Sequence, residues 1–398
     1  DLSTFVQSEW HLGRGLTASA GVRLDGVQFL TAAAYNPLVD QRLSVRTDEK
    51  PSNWIVSPRA QAIWDVQGDG KNVFRFGGGR FSSQPPYNVH VNHILQSGLE
   101  AVDIIQIGAQ APRPDFVRYR QDLSSVPGVP AGVNPSTIPA YVNYFSGDFR
   151  VPTTWKLSGG YERRLWRMQL GAFAYWARTQ DNFQYYDRNM VADPYFTIEG
   201  GRGVFVPAAK ITTAGRTNNA DTRIFTDIGR VLELVGESTL EQRSLVLQSA
   251  LTLPRQSSIT LSYTRNDTKD NSSFNCCVAL TSTFSQNTGD PRRLQDAWGA
   301  SEDSFRDKFV AAFLLPRVWG FRVTGSYIGI SGRPYSLVVN GDINGDGWAD
   351  MAANYKVGAV DYVRVIYGRN NWSNFVHLFK SYFSTEIIRK CNCLPVYV

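Results

Sequence analysis

Apolar and polar positions alternate along most of this chain with a period of two. Leu16, Ala18, Ala20, Val22 and Leu24 oppose Thr17, Ser19, Gly21 and Arg23. Trp155, Leu157, Gly159 and Tyr161 oppose Lys156, Ser158, Gly160 and Glu162. Ile259, Leu261 and Tyr263 oppose Ser258, Thr260, Ser262 and Thr264. Leu245, Leu247, Leu251 and Leu253 share a face that Ser249 interrupts, and Phe321, Val323 and Tyr327 oppose Arg322, Thr324 and Ser326. This period is that of β-strands with one apolar face. The runs span about nine to eleven residues, more than a usual soluble strand and enough for a tilted strand to cross a bilayer.

The connections between the runs fall into two kinds. Five are short: "LGRG" (12–15), "QGDGK" (67–71), "RLW" (164–166), "PRQS" (254–257) and "PRVWG" (316–320). Each joins two alternating runs as a hairpin does. Long polar stretches separate these hairpins, at about 26–52, 83–153, 179–222 and 266–307, rich in Pro, Asn, Asp, Ser and Gly. Tight turns at one end and extended loops at the other predict an all-β fold: an antiparallel transmembrane β-barrel in the bacterial outer membrane, with long extracellular loops. Eleven to fourteen strands are readable, part of a larger barrel, with residues 221–235 forming one strand or two. The apolar face then meets lipid and the polar face the lumen. Trp10, Trp155, Tyr161, Trp166 and Trp319 fall where an aromatic girdle belongs. Arg23, Arg163 and Tyr175 are read as lumen-facing.

Composition supports this. Aromatic residues make up 13% and charged residues 19% of 398 residues, a low charge content for a chain facing water on all sides. No apolar run is long enough for a transmembrane helix. The net charge of +6 is spread along the chain, which argues against nucleic acid as a partner. The first residue is Asp, which predicts a mature chain or a fragment. Cys276, Cys277, Cys391 and Cys393 lack zinc-ligand spacing and are read as loop disulfides or free thiols.

One segment resembles a known family. "NWIVSPRAQAIWDVQGDGKNVFRFGGGRF" (53–81) opens a strand on Ser57, Pro58 and Arg59, turns at Gly68–Lys71 and continues through Arg75, Gly77–Gly79, Arg80 and Phe81. It resembles the barrel of TonB-dependent outer-membrane receptors, in their Oar-like branch. "FVQSEWHLGRGLTASAGVRLD" (5–25) and "GISGRPYSLVVNGDINGDGWAD" (329–350) are similar to other parts of that barrel. The resemblance covers residues 1–354. It implies a barrel of about 22 strands with a plugged lumen, of which this chain is the C-terminal part. The plug and the segment that meets the TonB-type energy-coupling protein lie upstream and are absent here. Lipid is then a partner, as is a bulky solute: an oligosaccharide, a peptide or a metal chelate. Residues 355–398 lose the alternation and form a divergent tail.

Chemistry is sparse. In "GDINGDGWAD" (341–350) the order Asp342, Asn344, Asp346, the Trp348 carbonyl and Asp350 follows a calcium loop, with Gly347 at the sharp turn. The bidentate Glu of the twelfth position is missing, since Ala353 stands there. Calcium is the cofactor this order suggests, and a plain Asn/Asp/Gly turn the alternative. His90 and His93 form a pair without a third ligand. No nucleophile elbow, zinc-protease motif or phosphate loop occurs, so the reading is non-enzymatic. Two other functions stay open: a passive or adhesive barrel, and a secreted, calcium-stabilised glycan-binding protein.

Overall fold

The computed structural model describes residues 1–83, 87–104, 108–111, 113–198, 202–213, 217–272, 298–301, 304–317, 321–334, 342 and 344–346. The strands run in chain order: β1 (Leu2–Gly13), β2 (Leu16–Gln28), β3 (Ser52–Asp65), β4 (Asn72–Ser82), β5 (Val142–Phe145), β6 (Thr153–Leu165), β7 (Met168–Asp187), β8 (Phe196–Ile198), β9 (Arg202–Val204), β10 (Val231–Leu253), β11 (Ser257–Asp270), β12 (Gly299–Ala300), β13 (Asp307–Leu314) and β14 (Thr324–Ile330). Three short helices lie among the loops: α1 (Pro37–Leu43), α2 (Tyr87–Leu95) and α3 (Phe116–Gln121).

Ten strands form one antiparallel wall in the order β1-β2-β3-β4-β6-β7-β10-β11-β13-β14. Among the described residues the wall is open, with β1 and β14 at its edges. The short connections at 12–15, 67–71, 164–166 and 254–257 lie along one rim, because every second junction in this up-and-down order falls there; the fifth, 316–320, lies partly outside the described residues. The turn chemistry is local. Asp65 Oδ2 accepts from the Gly70 amide at 2.7 Å and Asp69 Oδ1 from the Lys71 amide at 2.9 Å, while Gly68 and Gly70 take positive φ. The described parts of the long connections gather at the other rim.

Register gives the wall two chemically distinct faces. Directly paired residues share a face. One row therefore runs Leu16, Trp64, Phe74, Tyr161, Ala172, Leu247, Tyr263 and Phe309. A row on the other face, five residues further along each strand, reads Gly21, Arg59, Gly79, Lys156, Ala177 and Gln242. Leu157, Leu247 and Leu261 stand exposed on the first face, a cost in water that hydrocarbon removes. Trp64, Phe74 and Tyr161 stack side by side, with centroids 5.7 and 4.7 Å apart. They form a girdle near the turn rim, joined by Trp10 and the exposed Trp166; Trp319 lies outside the described residues.

The strands exceed the expected nine to eleven residues: β7 has 20 and β10 has 23. The outward apolar band nevertheless stops earlier. Arg178 faces Glu241 across the strand pair, and Arg243 pairs with Glu241 at 2.6 Å. Arg265 pairs with Asp307 at 3.0 Å. These charges lie about seven to twelve residues from the turns, which brackets the crossing length of a tilted strand. Alternation reports the greasy part of each strand; its continuation above the bilayer mixes polar and apolar residues, is buried on both sides at 183–185 of β7 and 231–235 of β10, and carries no such signal. Residues 221–230, read as possible strand, form a 3₁₀ turn and a loop that leads into β10 at Val231.

Above the band the described parts of the long loops are folded. Val27, Phe29, Ile55, Val89, Phe145, Phe149, Phe183, Tyr185, Leu232 and Leu234 share one buried cluster. Val27 and Ile55 belong to the polar-face parity, so this cluster sits on the inner side of the wall. Val39, Val142, Tyr144, Ile228 and Val231 form a second cluster. The loop after β4 crosses over β6 and β7 and inserts β5 parallel to the upper end of β10, matching Val142 to Val231 and Phe145 to Leu234. The helices are legible in hindsight: Asn36 before Pro37 caps α1, its Oδ1 accepting from the Leu38 and Val39 amides.

Candidate solute path on the inner face

The inner face carries the polar chemistry of the wall. Arg23 Nε lies 2.6 Å from Asp25 Oδ1, and its Nη2 donates to Ser3 Oγ at 3.0 Å. Arg75 Nε donates to Glu162 Oε1 at 2.8 Å, and Gln169 reaches the other oxygen at 3.3 Å. Asn266 accepts from Gln242 and Ser244 at 3.0 and 2.6 Å and donates to Thr268 at 2.9 Å. These cross-strand bonds hold polar side chains against the wall and leave a trough in front of them. A hollow of about 690 Å³ lies there, lined by Gln61, Phe81, Lys156, Ser158, Tyr175 and Gln242 among others. Arg23 and Tyr175 thus stand on the lumen side, as read. Arg163 does not: it pairs with Leu170 and Asn72 in the outward register, near the turn rim, where a guanidinium reaches the headgroups.

Glycines let this face pack. A Cβ on Gly160 would stand 2.3 Å from Phe173 Cδ1, and one on Gly79 would stand 2.8 Å from Arg59 Cγ. Neither side chain could keep its place over a larger residue.

The loop cap closes one end of the trough. His93 is fully buried on α2, its Nε2 3.1 Å from the Tyr185 hydroxyl of β7. Its ring meets Phe145 edge-on at 4.1 Å, and Phe145 meets Phe149 at 5.1 Å. Burial lowers the His93 pKa to about 3, with His90 adding to the shift, and His90 is lowered by the same cause. His90 and His93 therefore serve as neutral packing groups one turn apart on a helix. Nearby, Arg230 and Asp187 form a buried ion pair at 3.0 Å, and Asp187 also accepts from the Asn189 and Val231 amides. Asn53 fastens the loop to β3, accepting from the Val151 amide at 2.8 Å and donating to the Phe149 carbonyl at 3.2 Å.

Of the calcium-type residues, Asp342, Asn344 and Asp346 are described; Trp348 and Asp350 lie outside the described residues, as do Cys276, Cys277, Cys391, Cys393 and the tail 355–398. Asp342 Oδ1 accepts from the Gly345 amide at 2.5 Å, and Asn344 Oδ1 accepts from the Asp346 amide at 3.2 Å. Asn344 Nδ2 donates to Asp346 Oδ2 at 3.0 Å, and the Phe205 amide donates to the Asn344 carbonyl at 2.7 Å. These atoms close a turn docked on the loop before β10. Among the described residues no cluster of three or more His, Cys, Asp or Glu is placed to hold a metal.

A wall that is apolar outside, girdled by aromatics, polar inside and capped at one rim defines a transmembrane β-barrel. The family model described as outer membrane beta barrel domain matches residues 1–385, and the chain belongs to that family. Its place is the bacterial outer membrane. No curated protein matches the sequence. Among solved structures, the FrpB iron transporter from Neisseria meningitidis is similar over 84% of this chain at 9% identity and a TM-score of 0.44. The outer membrane transporter YddB from Escherichia coli is similar over 85% at 13% identity and 0.48. The alcaligin receptor FauA from Bordetella pertussis is similar over 83% at 13% identity and 0.37. The chain spans 33%, 34% and 37% of these three proteins.

Proposed function

We propose that this chain is the C-terminal barrel portion of a TonB-dependent receptor, of the Oar-like branch, that imports a bulky solute. The observation that carries the reading is the wide two-faced wall. Ten strands leave the sheet open, and lipid tolerates no unpaired edge, so closure takes further strands and gives a large lumen. A lumen of that size needs a gate. In the family that residues 53–81 resemble, the gate is a plug driven by an energy-coupling protein, and the folded loops form the mouth that first meets the solute.

The test is electrical. The full-length gene product, reconstituted in planar bilayers, is expected to hold its conductance near zero without an energy source. A steady open conductance sinks the gated reading and makes the protein a passive barrel. A product that stays monodisperse without detergent sinks both and favours a secreted glycan-binding protein.

A further inference from the structure

Among the described residues several inner-face cations make no ion pair, Arg59, Lys156, Arg164 and Lys308 among them, and two of these meet. Arg75 and Arg23 are each neutralised, by Glu162 and Asp25. Arg59 and Lys156 are not: neither makes an ion pair among the described residues. They nevertheless converge. Arg59 Cζ lies 4.4 Å and Lys156 Nζ 5.2 Å from the centre of one ring, that of Phe81. Register explains the meeting. Gly79 stands between Arg59 and Lys156 in one transverse row, and Gly21 stands on the other side of Arg59. Without side chains at Gly79 and Gly21, both heads can fold over β4 toward Phe81. Like charges gathered on one ring repel, and the ring's quadrupole offsets only part of this. Both residues are exposed, and both line the hollow.

We propose that Arg59, Phe81 and Lys156 form an oxyanion subsite on the inner wall, which takes a carboxylate or phosphate group of the solute. This deepens the importer reading and rests on it for the word solute. Arg59 offers the planar fork that pairs with a carboxylate or phosphate through two hydrogen bonds. Lys156 adds a mobile point charge, and Phe81 fixes both at one height in the trough. The site lies on the same face as the inner cluster of the loop cap, so an anionic solute that passes the mouth meets it on the way down.

The experiment titrates the full-length protein in detergent micelles at low salt, by calorimetry, with citrate and separately with inorganic phosphate. Saturable binding that weakens as salt rises is expected for at least one probe. Arg59→Gln and Lys156→Gln should each lower the affinity about tenfold or more. Arg59→Lys should lose less than Arg59→Gln but more than the control, since it keeps the charge without the fork, and the control Arg75→Gln should stay within roughly threefold, since it alters a paired arginine. Each variant is first checked for the heat-modifiable gel mobility of a folded barrel. Absence of saturable binding by both probes, unchanged affinity in Arg59→Gln and Lys156→Gln, or an equal loss in Arg75→Gln overturns the site. A barrel that conducts freely yet binds citrate through Arg59 keeps the subsite and loses the gate; a closed barrel that binds neither probe does the reverse.

Discussion

His93 Nε2 and the Tyr185 hydroxyl lie 3.1 Å apart and join a helix of one loop to the upper end of a wall strand. The contact is sealed by Phe145 and by Val89 of the same helix. The loop mouth is thus a packed body whose stability can be read by ordinary means.

Acid should loosen that body. His93 has a folded-state pKa of about 3 against 6.5 for the free side chain. The unfolded loop therefore binds a proton that the folded loop refuses. The stability that neutral His93 supplies is complete above pH 6.5 and falls away as the pH drops toward 3. Hydrogen exchange of the α2 and β5 amides should accelerate between pH 6.5 and 4.5 more than that of β2 or β11. In His93→Phe most of the excess should vanish; an equal acceleration in that variant would put the acid sensitivity elsewhere.

The wall should respond sharply at Gly160. Phe173 occupies the space that any side chain there would need, since a Cβ would stand 2.3 Å from its ring. Gly160→Val is expected to cost about 1–3 kcal/mol in urea unfolding from lipid vesicles. Adding Phe173→Ala should recover part of that loss. Additive destabilisation in the double variant would show that the two residues do not compete for space.

The two faces should tolerate charge unequally. Leu247→Arg places a guanidinium in the middle of the outward band, at a cost of about 2–4 kcal/mol. Ser262→Arg, on the inner side of the neighbouring strand, should cost well under ~1 kcal/mol, because water solvates it there. Equal costs would mean that the outward face does not meet hydrocarbon.

The ion pair of Arg230 and Asp187 is buried, so cutting it leaves a charge without compensation. Asp187→Ala should destabilise the mouth by about 3–5 kcal/mol. Limited proteolysis of intact cells should then nick the segments around 140–150 and 188–230, while the wall stays intact. Unchanged resistance would assign the pair no structural part.

Much of this architecture was legible before any coordinates. Alternation placed Leu157, Leu247 and Leu261 outward, and four of the five short connections fell on one rim as read, the fifth lying partly outside the described residues. The loop cap was not legible, for a physical reason. Its order comes from contacts between distant segments, such as Phe29 with Phe145 at 5.9 Å and Asn53 with Val151. No local period records such contacts. Arg163 was misplaced because residue type suggested the lumen, whereas register decides the face. The convergence of Arg59 and Lys156 on Phe81 was equally hidden, although the three residues are conspicuous once the strands are aligned.

The parallel insertion of β5 beside β10 also sets a timetable. Val142 can find Val231 only after β6, β7 and β10 have been laid side by side, because the strap passes over them. Contacts so remote in sequence form late. The entrance is therefore shut by a segment that must wait for the strands beneath it, and a half-built barrel, whatever else it exposes, has no mouth.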